Sequence, residues 1–207
     1  MDESEKTAGG ARPVRADAQR NIDAVLEAAK AVFADSGVDA PVREIAARAG
    51  VGVGTLYRHF PQRSDLVAAV FRREVDACAD AAATLAGEHE PADALESWLH
   101  RYTSFIATKR GLAAALHSGD PAFDALPAYF QQRLGPALES LLDSATAAGA
   151  IRPDVDPQDL LRAMGNLCLA TAAERDGHTQ RMVALLIDGL RYGAPAPSAE
   201  MPPERGG

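Results

Sequence analysis

The segment from residue 42 to residue 60 constrains the fold of this chain most strongly, and it reads VREIAARAGVGVGTLYRHF. It divides into two short helical segments, about Val42–Ala49 and Val53–Phe60, joined by a turn whose glycine, Gly50, can adopt a positive φ. This spacing is typical of a helix-turn-helix. Six apolar residues predict that both helices pack against the first helix of the chain. These residues are Ile45, Ala46, Ala49, Val51, Leu56 and Phe60.

Helical periodicity extends along most of the remaining chain. Alanine is abundant and aromatic residues make up only 5%, a composition that favours helices over strands. We therefore expect an all-α fold of about nine helices, in which Pro136 either kinks or restarts its helix. The first predicted helix covers residues 17–36, and Gly37 terminates it. The further predicted helical segments are 64–87, 91–110, 112–118, 121–134, 136–149, 156–173 and 179–192.

The two ends of the chain differ in composition from the part between them. Residues 1–16 combine glycine, proline and charge without periodicity, so we expect a flexible arm there. Residues 193–207 are rich in proline and are expected to form a disordered tail. Between these ends we predict a helix-turn-helix domain over 17–62 and an all-α body over 63–192.

The distribution of apolar residues and cysteines bears on the cellular location. No run of about 18 apolar residues occurs, and the N-terminus lacks the apolar centre of a signal peptide. We therefore expect a cytoplasmic protein without a membrane-spanning helix. Cys78 and Cys168 stand outside any metal-binding or redox spacing, which favours reduced thiols and leaves a single disulfide between them as the alternative.

The glycines at positions 50, 52 and 54 allow a rival interpretation as a phosphate-binding loop. A dinucleotide-binding fingerprint requires its third glycine at position 55, where Thr55 stands, and it requires a preceding strand. The residues before Gly50 have helical periodicity instead, which weakens this interpretation. An ordinary turn between two helices with a solvated face is the second alternative.

Four motifs make this sequence resemble the TetR family of transcriptional regulators over about residues 17–72. They are F-A-D-S-G at the end of the first helix, then V-R-E-I-A-A-R-A-G-V, G-T-L-Y-R-H-F-P and R-S-D-L. The resemblance implies a three-helix DNA-binding head, a long linking helix, and an all-α body that dimerises and binds an effector. The stretch 101–118 is similar to an actinobacterial subgroup. Pro41 and Gly52 depart from the pattern, since many members carry hydroxyl residues there that cap helices and bind phosphate.

The resemblance also implies how the head would contact DNA. Tyr57 and His59 would bind phosphates, and Arg63 would add a contact to the DNA backbone. The start of the second helix, with Arg43 in its first turn, is also favourable for a phosphate. Pairing with an acidic neighbour is an alternative role for Arg58. The arginines that could extend the contact to a neighbouring groove are Arg12, Arg15 and Arg20. The full set of candidate DNA-binding residues is Arg43, Gly52, Val53, Thr55, Tyr57, Arg58, His59 and Arg63.

The body contains one face that is unusually rich in aromatic residues, on the helix predicted over 91–110. This face could line an apolar cavity for an effector, or it could be hydrophobic core alone. Asn166 lies within an apolar helix and therefore requires a polar partner from the protein, water or a ligand. The candidate effector-binding residues are Trp98, Tyr102, Phe105, His117, Phe123, Tyr129, Phe130, Arg133 and Asn166.

The last two predicted helices are strongly apolar, and they either close the core or form a dimer surface. The resemblance favours a symmetric homodimer through these two helices. A dimer with two-fold symmetry would present two recognition helices about one DNA turn apart and would read a palindromic site. The candidate dimer residues are Leu160, Leu161, Met164, Leu167, Cys168, Thr171, Met182, Leu185, Leu186, Gly189 and Leu190. Small residues that would permit close approach are Gly165, Ala172 and Gly189.

The formal net charge of −8 argues against a polyanionic partner when it is taken over the whole chain. Its distribution is uneven, because residues 11–75 carry ten basic and eight acidic side chains and the excess of acidic residues lies elsewhere. We therefore expect DNA to contact the head alone and to be repelled by the body. So weakly basic a head should hold non-specific DNA poorly.

The leading interpretation is a regulator that binds a palindromic double-stranded operator as a homodimer and represses until a small-molecule effector releases it. A transcriptional activator of the same fold is one alternative. A small-molecule carrier or enzyme with a non-functional helix-turn-helix, and a module that binds a protein through the acidic body, are others. No convergent acid–base pair, nucleophile or metal-ligand spacing is recognisable, so we expect no enzyme, metal or cofactor, and the effector stays unidentified.

Overall fold

A computed structural model describes residues 11–170 and 176–192 of this chain. Over these residues the structure is helical without strands, which confirms the all-α class. A short 3-10 turn, Pro121–Phe123, precedes the sixth helix. The helices are α1 (Ala11–Ser36), α2 (Val42–Ala49), α3 (Val53–His59), α4 (Arg63–Glu88), α5 (Pro91–Leu116), α6 (Leu126–Ala147), α7 (Pro157–Ala170) and α8 (Asp176–Arg191).

The first helix begins earlier than the sequence indicated. Residues 11–16 were assigned to the flexible arm, but α1 already includes them. Pro13 is compatible with this start because the first turn of a helix needs no acceptor for its N–H groups. Residues 1–10 and the predicted tail over 193–207 lie outside the described residues.

Two predicted boundaries between later helices are absent, so the described residues contain fewer helices than the nine expected. The segments 91–110 and 112–118 form one helix, since a single glycine at position 111 costs too little to end it. The segment 121–134 begins as the 3-10 turn and then continues through Pro136 as α6 without restarting. Packing along both helices therefore outweighs these local breaks.

The chain divides into two compact units, whose limits differ from the predicted boundary between residues 62 and 63. The first unit comprises Met1–Asp76 with Ala107–Gln131, and the second comprises Ala77–Ile106 with Gln132–Gly207. The first half of α4 belongs to the first unit because its apolar side chains are buried there, as Leu66 and Phe71 show.

Four of the six predicted core residues of the helix-turn-helix are buried, whereas Ala49 and Val51 are half-buried. Ile45 and Ala46 of α2 and Leu56 of α3 are almost completely buried, and Phe60 closes the same core after α3. The stripe of α1 that they join is also buried, and it consists of Val25, Leu26, Ala28, Ala29, Val32 and Phe33. The apolar periodicity therefore identified the core of the head.

The turn between α2 and α3 depends on the backbone of Gly50. Gly50 has a φ of 69°, in the left-handed region that favours glycine, and its N–H points at the carbonyls of Ala46 and Ala47. The N–H of Val51 donates to the Ala46 carbonyl at 3.0 Å. These bonds satisfy the end of α2 and turn the chain directly into α3.

The aromatic face of α5 is core of the second unit. Trp98 and Tyr102 stack with ring centroids 5.7 Å apart, and Tyr102 stacks on Phe105 at 5.9 Å. The Trp98 indole N–H donates to the Cys78 carbonyl at 2.8 Å, and the Tyr102 hydroxyl donates to the Leu161 carbonyl at 3.2 Å. Burial raises the pKa of the Tyr102 hydroxyl well above its ordinary value, so this group stays neutral.

The cysteines are thiols in this structure rather than a disulfide. Cys78 and Cys168 are both buried in the second unit. In the described ranges, no helix has the length and apolar character needed to span a membrane. Within those same ranges, no group of three or more His, Cys, Asp or Glu side chains could hold a metal ion.

Two glycine substitutions in the helix-turn-helix should change stability in opposite directions. Gly50→Ala should lower the free energy of unfolding by about 1–2 kcal/mol, because an alanine at a φ of 69° is strained. Gly54→Ala should raise it by about 0.5–1 kcal/mol, because Gly54 is exposed inside α3 and a Cβ there meets no atom within 4 Å. Urea unfolding at equal protein concentrations measures both. Equal effects of the two substitutions would contradict the assigned turn.

Candidate nucleic-acid interface

The third helix buries one side and exposes the other. Leu56 is buried, whereas the side chains of Val53 and Tyr57 are 40% and 49% exposed. Arg58 and His59 are exposed as well, and Thr55 is half-buried. An α-helix that enters the major groove must present its free face in this way. Of the α3 residues predicted to face DNA, Val53, Tyr57, Arg58 and His59 are therefore accessible and Thr55 is partly so. We call these five residues the α3 surface.

The N-terminal end of α2 adjoins this region in the chain and carries an exposed arginine. Pro41 precedes α2 with extended backbone, and no side chain caps this helix end. Arg43 is exposed in the first turn. The exposed amide groups of such a helix end and the arginine both favour an anion, although Glu44 beside them carries the opposite charge.

The start of α3 lacks a capping side chain because Gly52 occupies the N-cap position. The Gly52 carbonyl accepts hydrogen bonds from the N–H groups of Thr55 and Leu56 at 2.9 and 3.2 Å. A Cβ at position 52 would meet only the Thr55 hydroxyl oxygen, 3.9 Å away. The backbone would therefore accept a serine here, and glycine removes one hydroxyl from the α3 surface without altering the fold.

Arg63 is engaged inside the protein, which differs from its predicted contact to the DNA backbone. Its guanidinium donates from Nη1 to the Val38 carbonyl and from Nη2 to the Ala40 carbonyl, the latter at 2.7 Å. These carbonyls lie in the loop that leads into α2. Arg63, at the start of α4, therefore acts as a positioning residue for the N-terminal end of α2. The sequence contains no signal for this link, because donor and acceptors are more than 20 residues apart.

Most other basic side chains that the structure describes between residues 17 and 76 have acidic, carbonyl or aromatic partners. Lys30 pairs with Glu74 at 2.8 Å, and Arg48 pairs with Asp35 at 3.2 Å. The Arg73 guanidinium donates to the Asp23 carbonyl at 2.6 Å. Further partners are Asp17 for Arg20, Glu27 for Arg73 and the Tyr129 ring for Arg72.

Two exposed arginines of the head, Arg43 and Arg58, form no ion pair among the residues that the structure describes. The alternative in which Arg58 pairs with an acidic neighbour is therefore not the arrangement found. An exposed arginine without a carboxylate partner can bind a phosphate without first breaking an ion pair. The side chains of Arg12 and Arg15 lie outside the described part of the structure.

A cavity of about 390 Å³ lies within the first unit. Three of the predicted effector-binding residues, His117, Phe123 and Phe130, line it. The sequence interpretation missed the others, although the buried stripe of α4 that contains Phe71 could have suggested one of them. The additional lining residues are Phe71, Leu116, Leu126, Pro127 and Gln131.

Three predicted effector residues do not line this cavity, and they are the aromatic residues of the core described above. Trp98, Tyr102 and Phe105 are at most 4% exposed and belong to the second unit. The aromatic face of α5 is therefore hydrophobic core, which was the alternative to an effector-binding role.

Three further candidates have other roles. The Tyr129 hydroxyl donates to the Asp76 carboxylate at 2.6 Å, and Arg133 pairs with Asp80 at 2.7 Å. Asn166 was expected inside an apolar helix but is exposed. The reason is that α7 buries a different face, which carries Leu160, Leu161, Met164 and Cys168.

The predicted dimer residues divide between core and surface. Five of them are buried within the second unit, so their assignment to a dimer surface was wrong: Leu160, Leu161, Met164, Cys168 and Leu190. Those that remain accessible are Leu167, Met182, Leu185, Leu186 and Gly189. Thr171 and Ala172 lie outside the described residues. The hydrophobicity of α7 and α8 thus reflects packing within one chain as well as accessible surface.

Removal of the Arg63 side chain should destabilise the head. Arg63→Ala should lower the free energy of unfolding by about 2 kcal/mol, because the carbonyls of Val38 and Ala40 lose a charged donor. Arg58→Ala, a matched change on the exposed face, should alter it by less than about 0.5 kcal/mol. Chemical unfolding measures both variants. Unchanged stability of Arg63→Ala would contradict the positioning role assigned to Arg63.

Comparison with known proteins bears on both parts of the chain. The family described as bacterial regulatory proteins, tetR family, matches residues 25–70, and the SbtR-like transcriptional regulator C-terminal domain matches residues 90–192. A curated HTH-type transcriptional regulator of Staphylococcus aureus strain USA300 is 41% identical over 64 residues. That match covers 30% of this chain and 35% of the relative, so it spans about a third of the relative's length.

Two solved structures match over a larger share of the chain. A TetR transcriptional regulator from Streptomyces coelicolor is 37% identical, with a TM-score of 0.72, and the match covers 86% of this chain and 99% of that one. A TetR regulatory protein from Mycobacterium vanbaalenii is also 37% identical with the same coverage and a TM-score of 0.67. The helix-turn-helix, the matching C-terminal domain and these two similarities together show that this chain belongs to the TetR family of transcriptional regulators.

Proposed function

We propose that this protein is a DNA-binding transcriptional regulator that represses from a palindromic operator and is released by a small-molecule effector. The observation that carries the DNA-binding part is the position of Arg43 and Arg58. They are exposed arginines without an ion-pair partner in the described residues, and they flank the turn of the helix-turn-helix. Phosphate contacts dominate the affinity of proteins for DNA, and the arginine fork matches phosphate geometry.

The α3 surface supplies the groups that would read the operator. Val53 and Thr55 lie in the first turn of α3, where side chains reach base edges in a major groove. Tyr57 is half exposed, so its side chain is accessible to a phosphate. His59, at the end of α3, extends the same surface.

We further propose that the protein acts as a homodimer through α7 and α8. On α8 the accessible apolar residues Met182, Leu185 and Gly189 follow a spacing of three and four residues that Tyr192 continues. Leu185 is 64% exposed and Tyr192 is 83% exposed. The opposite side of α8 packs on its own unit through Val183, Ile187 and Leu190. A helix that is apolar on both sides needs a second partner, and a symmetric copy of the same chain provides one.

The release mechanism that we propose uses the cavity of the first unit. Phe71 of α4 lines this cavity, and Arg63 at the start of the same helix holds the loop before α2. An effector that displaces Phe71 would therefore shift the helix that positions the head. To change the bound fraction from 99% to 1%, the effector must prefer the released state by about 5.5 kcal/mol.

The remaining features of the proposal concern chemistry and location. We assign the protein no catalytic group, no metal and no cofactor, and its small-molecule ligand is the effector. We place the protein in the cytoplasm, where DNA is accessible. Repression depends on where the operator lies relative to the promoter, so an activator would use the same contacts. Capture of DNA by this protein from a random pool of fragments separates both regulators from a carrier or a protein-binding module.

Loss of one phosphate contact should weaken operator binding and its dependence on salt. Arg43→Ala and Arg58→Ala should each lower the slope of log K against log salt concentration by about 1. Arg162→Ala, on the exposed face of α7, is the matched control and should leave the slope unchanged. Fluorescence anisotropy with an operator selected from random double-stranded DNA measures the slopes. Parental slopes in both head variants would refute the assigned contacts.

A charge placed on the apolar stripe of α8 should separate the dimer. Leu185→Glu should yield a monomer, because a carboxylate would be desolvated in an apolar interface. Ala184→Glu lies on the neighbouring exposed face with Asp188 and Arg191, and it should remain dimeric. Sedimentation velocity distinguishes the two states. A dimer that persists in Leu185→Glu, or a monomeric parent chain, would exclude this interface.

A further inference from the structure

We propose that the cavity of the first unit binds a neutral aromatic molecule with a hydroxyl group, which donates its hydrogen to Nε2 of His117. This inference rests on the proposed function, since it names the class of effector that the same cavity would take. It follows from the composition of the lining, from the hydrogen bond of His117 and from the size of the space.

The lining contains no group of fixed charge. Its eight residues comprise six apolar side chains together with His117 and Gln131. His117 and Gln131 are both exposed, so they lie where the cavity meets solvent. An ionised group placed deeper, against the apolar side chains, would lose hydration without a fixed counter-charge, which is costly. A carboxylate or an ammonium group is therefore disfavoured at this position, and a neutral molecule is preferred.

The hydrogen bond of His117 defines which ring nitrogen is available. Nδ1 of His117 lies 2.8 Å from the carbonyl oxygen of Ala113, one helical turn earlier. A carbonyl oxygen only accepts, so Nδ1 must carry the hydrogen. In the neutral imidazole Nε2 is then an acceptor, and its natural complement is a donor on the ligand.

A hydroxyl group meets the polar requirements of the lining better than an ether or a carboxylate. Its hydrogen can be donated to Nε2 of His117, and its oxygen can accept from the amide of Gln131, which also lines the cavity. An ether oxygen could accept from Gln131 but has no hydrogen to donate to Nε2 of His117. The two polar side chains therefore select for a group that both donates and accepts.

The apolar part of the lining favours an aromatic ring. Phe71, Phe123 and Phe130 come from three separate segments of the chain, namely α4, the 3-10 turn and α6. Rings from different directions can contact a flat ligand by stacking and by edge-to-face packing. The volume of about 390 Å³ is in the range of small-molecule sites and accommodates a bicyclic aromatic compound.

Four probes separate the elements of the proposal, and their binding to the full chain without DNA is measured by isothermal titration calorimetry. They are 2-naphthol, its methyl ether 2-methoxynaphthalene, the anion 2-naphthoate and the saturated alcohol decahydro-2-naphthol. We expect 2-naphthol to bind about tenfold more tightly than 2-methoxynaphthalene, the effect of one hydrogen-bond donor. The anion and the saturated alcohol should bind more weakly than 2-naphthol as well.

Two substitutions of His117 test the role of Nε2 with similar side chains. His117→Asn keeps a donor for the Ala113 carbonyl but has no atom in place of Nε2. It should lower the affinity for 2-naphthol to that of 2-methoxynaphthalene without changing the latter. His117→Gln supplies an acceptor oxygen near that position and should preserve the preference for 2-naphthol. Phe130→Ala should weaken both naphthalenes equally, which locates their binding in this cavity.

Several results would overturn the proposal. They are equal affinity for 2-naphthol and its methyl ether, tighter binding of 2-naphthoate, no binding of any probe, and full affinity for 2-naphthol in Phe130→Ala. None of these results bears on operator binding, which is measured separately by fluorescence anisotropy. If 2-naphthol binds as expected but does not release the operator, the ligand class stands and the proposed release mechanism fails.

Discussion

The hydrogen bonds of Arg63 are the constraint on which the arrangement of the head depends. This residue begins α4, and its guanidinium holds the carbonyls of Val38 and Ala40 just before α2 begins. The same helix supplies Phe71 to the cavity of the first unit. The same helix therefore connects the loop before α2 with the cavity where an effector would act. Arginine suits this position because its planar fork can donate to two carbonyls at once.

The charges of the head show how an acidic chain can present a local site for a polyanion. Arg20, Lys30, Arg48 and Arg73 form ion pairs with acidic side chains, and Arg63 donates to backbone carbonyls. Arg43 and Arg58 remain as exposed cations beside the helix-turn-helix, in a chain of net charge −8. Salt screens the interaction between exposed charges that lie far apart. A few exposed arginines without an ion pair therefore affect the binding of a polyanion more than the net charge of the chain does. Whole-chain charge was therefore a poor guide to the partner.

The accuracy of sequence-based prediction varied with the range of the interactions involved. The limits of α2 and the turn at Gly50 were predicted correctly, because they depend on apolar periodicity and on one glycine with a positive φ. The distribution of core and surface on α7 was predicted less well. Leu160 and Met164 are buried and Asn166 is exposed, although all three share one hydrophobic helix. Which side of an amphipathic helix meets its own unit depends on distant segments that periodicity does not identify.

The sequence alone determined the all-α class, the helix-turn-helix with its core, and the TetR resemblance that the comparisons confirmed. These properties follow from contacts within a turn or between neighbouring helices, which are encoded by local spacing. Only the tertiary structure decided that Arg63 holds a loop, and that His117, Phe123 and Phe130 share a cavity that Trp98 does not line. The physical reason is that both results depend on side chains far apart in the chain, whose meeting is fixed by the packing of whole helices.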